Sequence, residues 1–102
     1  TPNVNLYETD AAYLLCVDLA GVDKEKIDLE VRDQRLILRG ARTVPAHTDD
    51  EPEISKHRLR VHLMEIDHGL FSRVVELPRN VEKERIIAHY RNGMLWIEVP
   101  KK

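Results

Sequence analysis

The chain has 102 residues, 42% of them hydrophobic and 33% charged, with a net charge of −2. One small domain with a modest core fits that length, and the balanced charge excludes a basic nucleic-acid binder or an acidic interaction tail. No apolar run is long enough to span a membrane, and single Trp and Phe residues leave no platform for stacking bases.

Short alternating segments follow in chain order. Val4 and Leu6 alternate with Asn5 and Tyr7 as a first strand. Residues 13–19 are nearly continuously apolar and predict a strand buried on both sides. Within it Cys16 is the lone cysteine, so no internal disulfide framework exists; a small buried hydrophobe in a reducing compartment, the cytoplasm, is expected. Residues 20–26 are a charged connection with a glycine turn, where Asp23 suits the cap of one helical turn. Ile27, Leu29 and Val31 alternate with Asp28, Glu30 and Arg32; Asp33-Gln34 offers a turn, and residues 35–42 return with Leu36 and Leu38 on one side.

Residues 43–56 hold Pro45, Thr48, Asp49, Asp50, Glu51 and Pro52 and read as a loop. Leu59, Val61 and Leu63 alternate with Arg60 and His62 as an amphipathic strand. Asp67-His68-Gly69 breaks it, and residues 70–77 form the next strand. A polar connection at 78–84 leads to a closing hairpin: Asn92-Gly93 is the dipeptide preferred by type I′ turns, since both central residues need positive φ. Leu95, Ile97 and Val99 then face one way, Met94, Trp96 and Glu98 the other, and Pro100 ends the strand. Lys101 and Lys102 are expected to fray. Eight short strands and no long helix predict an all-β sandwich.

Catalytic and metal chemistry find little support. The five histidines are scattered: His57 and His62 fall on opposite faces of a strand, His47 and His68 in loops, and His89 beside Tyr90. Ser55 and Ser72 lack a glycine-framed elbow, and no Gly-rich phosphate loop ends in Lys-Ser or Lys-Thr. No cofactor and no enzymatic activity are expected.

Four stretches, in this order, resemble the α-crystallin domain of small heat-shock proteins. Residues 4–8 are similar to that family's opening strand. Leu19-Ala20-Gly21-Val22 is similar to its Leu-Pro-Gly-Val connection, with Ala20 in place of Pro. Gly69-Leu70-Phe71-Ser72-Arg73, ahead of Leu77-Pro78, resembles its Gly-x-Phe-x-Arg entry to a strand. The closing stretch is the most specific: Ala88, three residues, Asn92-Gly93, one residue, Leu95, then Pro100-Lys101.

The resemblance implies an immunoglobulin-like β-sandwich of seven to eight strands that forms a homodimer. In the bacterial, archaeal and plant type, a strand in a long loop crosses to the partner's edge. Residues 59–63 are then the exchanged strand, placing Leu59, Val61 and Leu63 at the interface. Arg73 would be the interface arginine, with Glu65 or Asp67 of either subunit as its carboxylate. Ile66 stands where the family often has Arg, which removes one expected ion pair. By position, Ile27, Leu29, Val31, Ile87 and His89 would line a groove that takes the anchor of a neighbour's tail; simple core packing is the plain alternative for the first three. The chain would be a single domain over 1–102, with the family's N-terminal arm and C-terminal anchor tail largely absent; higher oligomers would need both. The implied function is ATP-independent holding of unfolding client proteins, with no nucleotide, nucleic acid or membrane partner. The alternative is a co-chaperone-type sandwich domain, usually monomeric, that docks one defined partner.

Overall fold

The computed structural model describes residues 2–43, 60, 62–65 and 68–102, and these hold seven strands in two antiparallel sheets. The first sheet has the order β1-β2-β7-β6, built from β1 (Val4–Glu8), β2 (Ala12–Asp18), β7 (Met94–Pro100) and β6 (Ile87–Arg91). The second is β3 (Ile27–Arg32), β4 (Arg35–Arg42) and β5 (Gly69–Glu76), in that order. The all-β sandwich expected from the alternating segments is therefore the architecture found. Arg60, His62 and Leu63 carry no strand, while Leu59 and Val61 lie outside the described residues.

Side-chain alternation decides what is buried. Leu15 and Val17 of β2 share a face with Leu95, Ile97 and Val99 of β7 and meet Leu36 and Leu38 of β4; each is at most 5% exposed. Leu19, Val22, Leu77 and Val81 close the ends of this core. The prediction that the second strand is buried on both sides also holds around Cys16, which is 6% exposed. Cys16 is in register with Trp96 on the outer face. There the Tyr7 and Trp96 rings stack across β2, with centroids 6.4 Å apart.

Local chemistry sets the connections. Thr9 Oγ1 accepts from Ala12 N at 3.0 Å and turns β1 into β2. Asp23 caps a single 3-10 turn over Lys24–Lys26, accepting from Glu25 N at 3.0 Å. Gly40 lies opposite Phe71 in the β4–β5 ladder. A Cβ at Gly40 would meet Phe71 Cζ at 2.5 Å, so the ring occupies the space the glycine leaves.

The terminal lysines do not fray as expected. Lys101 N donates to Ala11 O and Lys102 N to Asn80 O, both at 2.8 Å. Lys101 Nζ also reaches Glu8 at 2.6 Å and sits 5.1 Å from the Tyr13 ring centroid. That hydrogen bond to Glu8 holds the Lys101 ammonium above the usual lysine range, with burial working against it.

Candidate binding cleft and interface residues

A two-layer sheet that does not close has edges. Among the described residues, β1 and β6 are the outer strands of one sheet and β3 and β5 those of the other. Each leaves backbone N–H and C=O groups able to pair with an added strand.

Between the outer strands β3 and β6 the sandwich opens into a cleft of about 270 Å³. Its apolar wall is Ile27 and Leu29 from β3, Ala88 and Tyr90 from β6, and Leu95 from β7. Lys24 and Glu25 of the 3-10 turn and His89 supply the polar rim. The register of the closing hairpin explains this composition. Asn92 and Gly93 take φ of 53° and 79°, the left-handed pair of a type I′ turn, so Arg91 lies opposite Met94. Tyr90 then pairs with buried Leu95 and Ala88 with buried Ile97, which aims both toward the sandwich interior.

The small Ala88 side chain leaves the cleft open at its middle. Tyr90 is fixed from behind, its hydroxyl donating to Leu19 O at 2.8 Å. The hairpin itself is seated on the 19–21 connection: Leu19 N donates to Gly93 O at 2.8 Å, and a Cβ at Gly93 would come within 3.1 Å of Ala20 Cα. The motif residues Ala88, Asn92, Gly93 and Leu95 thus have separate structural tasks: open space, turn, close approach and core.

Of the groove positions expected from the sequence, Ile27, Leu29 and His89 are in the cleft lining, whereas Val31 and Ile87 are not. Val31 pairs with Leu36 and packs on the core. Ile87 pairs with Glu98 and points to the opposite face, 60% exposed. The sequence marks Ala88 as a motif residue only and gives Tyr90, Lys24 and Glu25 no lining role. The Asn-Gly turn contained the missing signal for Ala88 and Tyr90, because counting back from it fixes which face each residue of β6 takes.

Arg73 is in register with Leu38, on the inner face of β5, and is half-buried. Its Nη1 donates to Pro2 O at 3.1 Å, tying the second sheet to the residues that lead into β1. Glu65 is exposed, and Asp67 and Ile66 lie outside the described residues. Leu63 is 78% exposed in the single chain.

The sequence and the fold have counterparts among known proteins. A family model described as Hsp20/alpha crystallin family matches residues 5–102. The chain belongs to that family. Small heat shock protein C4 of Rickettsia felis is 32% identical over 102 residues, covering 100% of this chain and 58% of that relative. The hspA crystal structure from Xanthomonas axonopodis superimposes with a TM-score of 0.79 at 30% identity, covering 99% of this chain and 93% of that one. Heat shock protein 16.0 from Schizosaccharomyces pombe gives a TM-score of 0.82 at 25% identity, covering 99% and 86%. The chain thus spans less than two thirds of the length of the curated relatives it matches first. No helix among the described residues is long and apolar enough to cross a membrane.

Proposed function

We propose that this α-crystallin-type domain is an ATP-independent holdase module of the cytoplasm, acting in the response to protein-unfolding stress, and that its β3–β6 cleft receives extended apolar segments. The observation that carries the reading is the conjunction of an apolar cleft with an unpaired strand edge. An extended segment laid along β6 gains main-chain hydrogen bonds, while alternate side chains drop onto Ala88, Tyr90 and Leu29. Each buried apolar Å² contributes roughly 25 cal/mol, so capture of an unfolding chain needs no nucleotide. Several such sites in one assembly add avidity.

Two copies pair, in this reading, through residues 59–63, with Leu59, Val61 and Leu63 carried to the other subunit's sheet edge. The exposure of Leu63 supports that reading. The family resemblance in the Gly-x-Phe-x-Arg stretch supports a place for Arg73 near that contact. Further segments before and after the domain, as in the longer relatives, would build larger assemblies.

The test uses a fluorescent peptide with isoleucines at alternate positions. Ala88 is exposed, so Ala88→Trp fills the cleft with little effect on folding. The expected result is at least a ~10-fold loss of affinity, about 1.4 kcal/mol. Equal binding by both proteins would remove the cleft from the mechanism. Sedimentation of the unmodified chain tests pairing separately: a monomer at all concentrations favours a domain that docks one defined partner.

A further inference from the structure

The closing turn contains a reactive pair. The backbone nitrogen that follows an asparagine can attack that residue's own side-chain amide carbon. The new N–Cγ bond closes a five-membered succinimide, and the amide nitrogen leaves as ammonia. Water then opens the ring at either carbonyl, giving aspartate or an isomer whose main chain runs through the side-chain carbon. Glycine as the following residue obstructs the attack least, having no Cβ. Asn92 is followed by Gly93, whereas Asn3, Asn5 and Asn80 are followed by Val4, Leu6 and Val81.

The folded geometry closes this route. Asn92 has φ 53° and Gly93 φ 79°, and the first central residue of a type I′ turn has ψ of about +30°, the mirror of type I. At that ψ the Gly93 nitrogen lies nearly trans to the Asn92 Cβ, while ring closure needs the two nearly eclipsed. Rotation about the Asn92 Cα–C bond would have to carry Gly93 with it. Gly93 is held by its carbonyl at Leu19 N, 2.8 Å away, and lies so near Ala20 that a Cβ on it would come within 3.1 Å of Ala20 Cα.

We propose that Asn92 is a hydrolytic modification site, held shut by the folded turn and opened only when the closing hairpin separates from the 19–21 connection. Water is the only co-reactant. The isomerised product adds a methylene to the main chain of a two-residue turn, which the Arg91–Met94 register cannot absorb. Strand β6, one wall of the cleft, is then loosened irreversibly, and the chain carries a chemical record of having opened.

The experiment follows conversion at each asparagine by peptide mass spectrometry in mildly alkaline buffer, with and without guanidinium chloride. In denaturant, Asn92 is expected to convert ahead of Asn3, Asn5 and Asn80. In the folded chain its conversion should be at least ~10-fold slower, as for other reactions gated by local opening. Equal rates folded and denatured would overturn the gating, and an Asn92 no faster than the other asparagines in denaturant would overturn the site. The isomerised chain, purified after ageing, should show faster amide exchange in β6 than the fresh chain; unchanged exchange would overturn the consequence for the cleft wall.

Discussion

Gly21 and Gly93 form a natural pair for separating two costs that glycine substitutions usually mix. Both have φ of 79°, but a Cβ at Gly21 would meet nothing within 4 Å, whereas one at Gly93 would sit 3.1 Å from Ala20 Cα and 3.3 Å from Ala20 Cβ. Gly21→Ala therefore carries the left-handed backbone cost alone, about 1–2 kcal/mol. Gly93→Ala carries that and a crowded seat in which backbone must give by a few tenths of an ångström, adding about 1 kcal/mol at the low end for overpacking. The expected losses are thus about 1–2 and about 2–3 kcal/mol. Urea unfolding measures both, at one fixed protein concentration because any self-association couples stability to concentration. Adding Ala20→Gly to the Gly93→Ala chain should recover part of the extra loss, since it removes the 3.3 Å contact and leaves the 3.1 Å one. Equal losses at the two glycines would show that the hairpin is not seated on Ala20 and that β6 does not owe its position to that seat.

Tyr90→Phe should cost about 0.5–1.5 kcal/mol by removing the hydroxyl bond to Leu19 O, read as a lowered thermal midpoint; no change would place that hydroxyl in solvent. Gly40→Ala should destabilise by about 1–3 kcal/mol because the Phe71 ring must leave its place, and Phe71→Leu in the same chain should return part of the loss. Lys101 has its ammonium favoured in the folded chain, so its contribution is fully present below the unfolded lysine value of about 10.4 and disappears as pH rises through the folded value above it. Comparing unfolding midpoints at neutral and strongly alkaline pH, Lys101→Met should show a smaller alkaline decline than the unmodified chain; an identical decline would refute the role of the Glu8 contact. Trp96→Ala should expose Cys16 to a thiol reagent by removing the ring that stacks on Tyr7, and an unchanged reaction rate would show that the thiol is shielded by something else.

Much of the sandwich could be read directly from the chain because each strand is short and alternates, and alternation is local. Leu36 and Leu38, and Leu95, Ile97 and Val99, declare an inner face without knowledge of any neighbour, and all five are buried. The capped turn at Asp23 and the left-handed Asn92-Gly93 pair follow from residue chemistry alone. The cleft was less legible. Ile87 lies on the opposite face of β6 from Ala88 and Tyr90, although the hairpin register held the information. Lys24 and Glu25 reach the cleft only because the turn that leads into β3 stands at its rim, and no periodicity encodes that.

What the sequence by itself determined is the set of faces: which residues alternate inward, where the chain must turn, and which family pattern those turns fit. The tertiary structure alone decided how faces from distant segments meet. It set the Tyr7–Trp96 stack across β2, the seat of Gly93 on Ala20, the Arg73 bond to Pro2, and the terminal lysines drawn onto Ala11, Asn80 and Glu8. The physical reason is range. Alternation and turn chemistry act over two to four neighbouring residues, whereas these contacts join positions far apart in the chain and exist only once both sheets have packed.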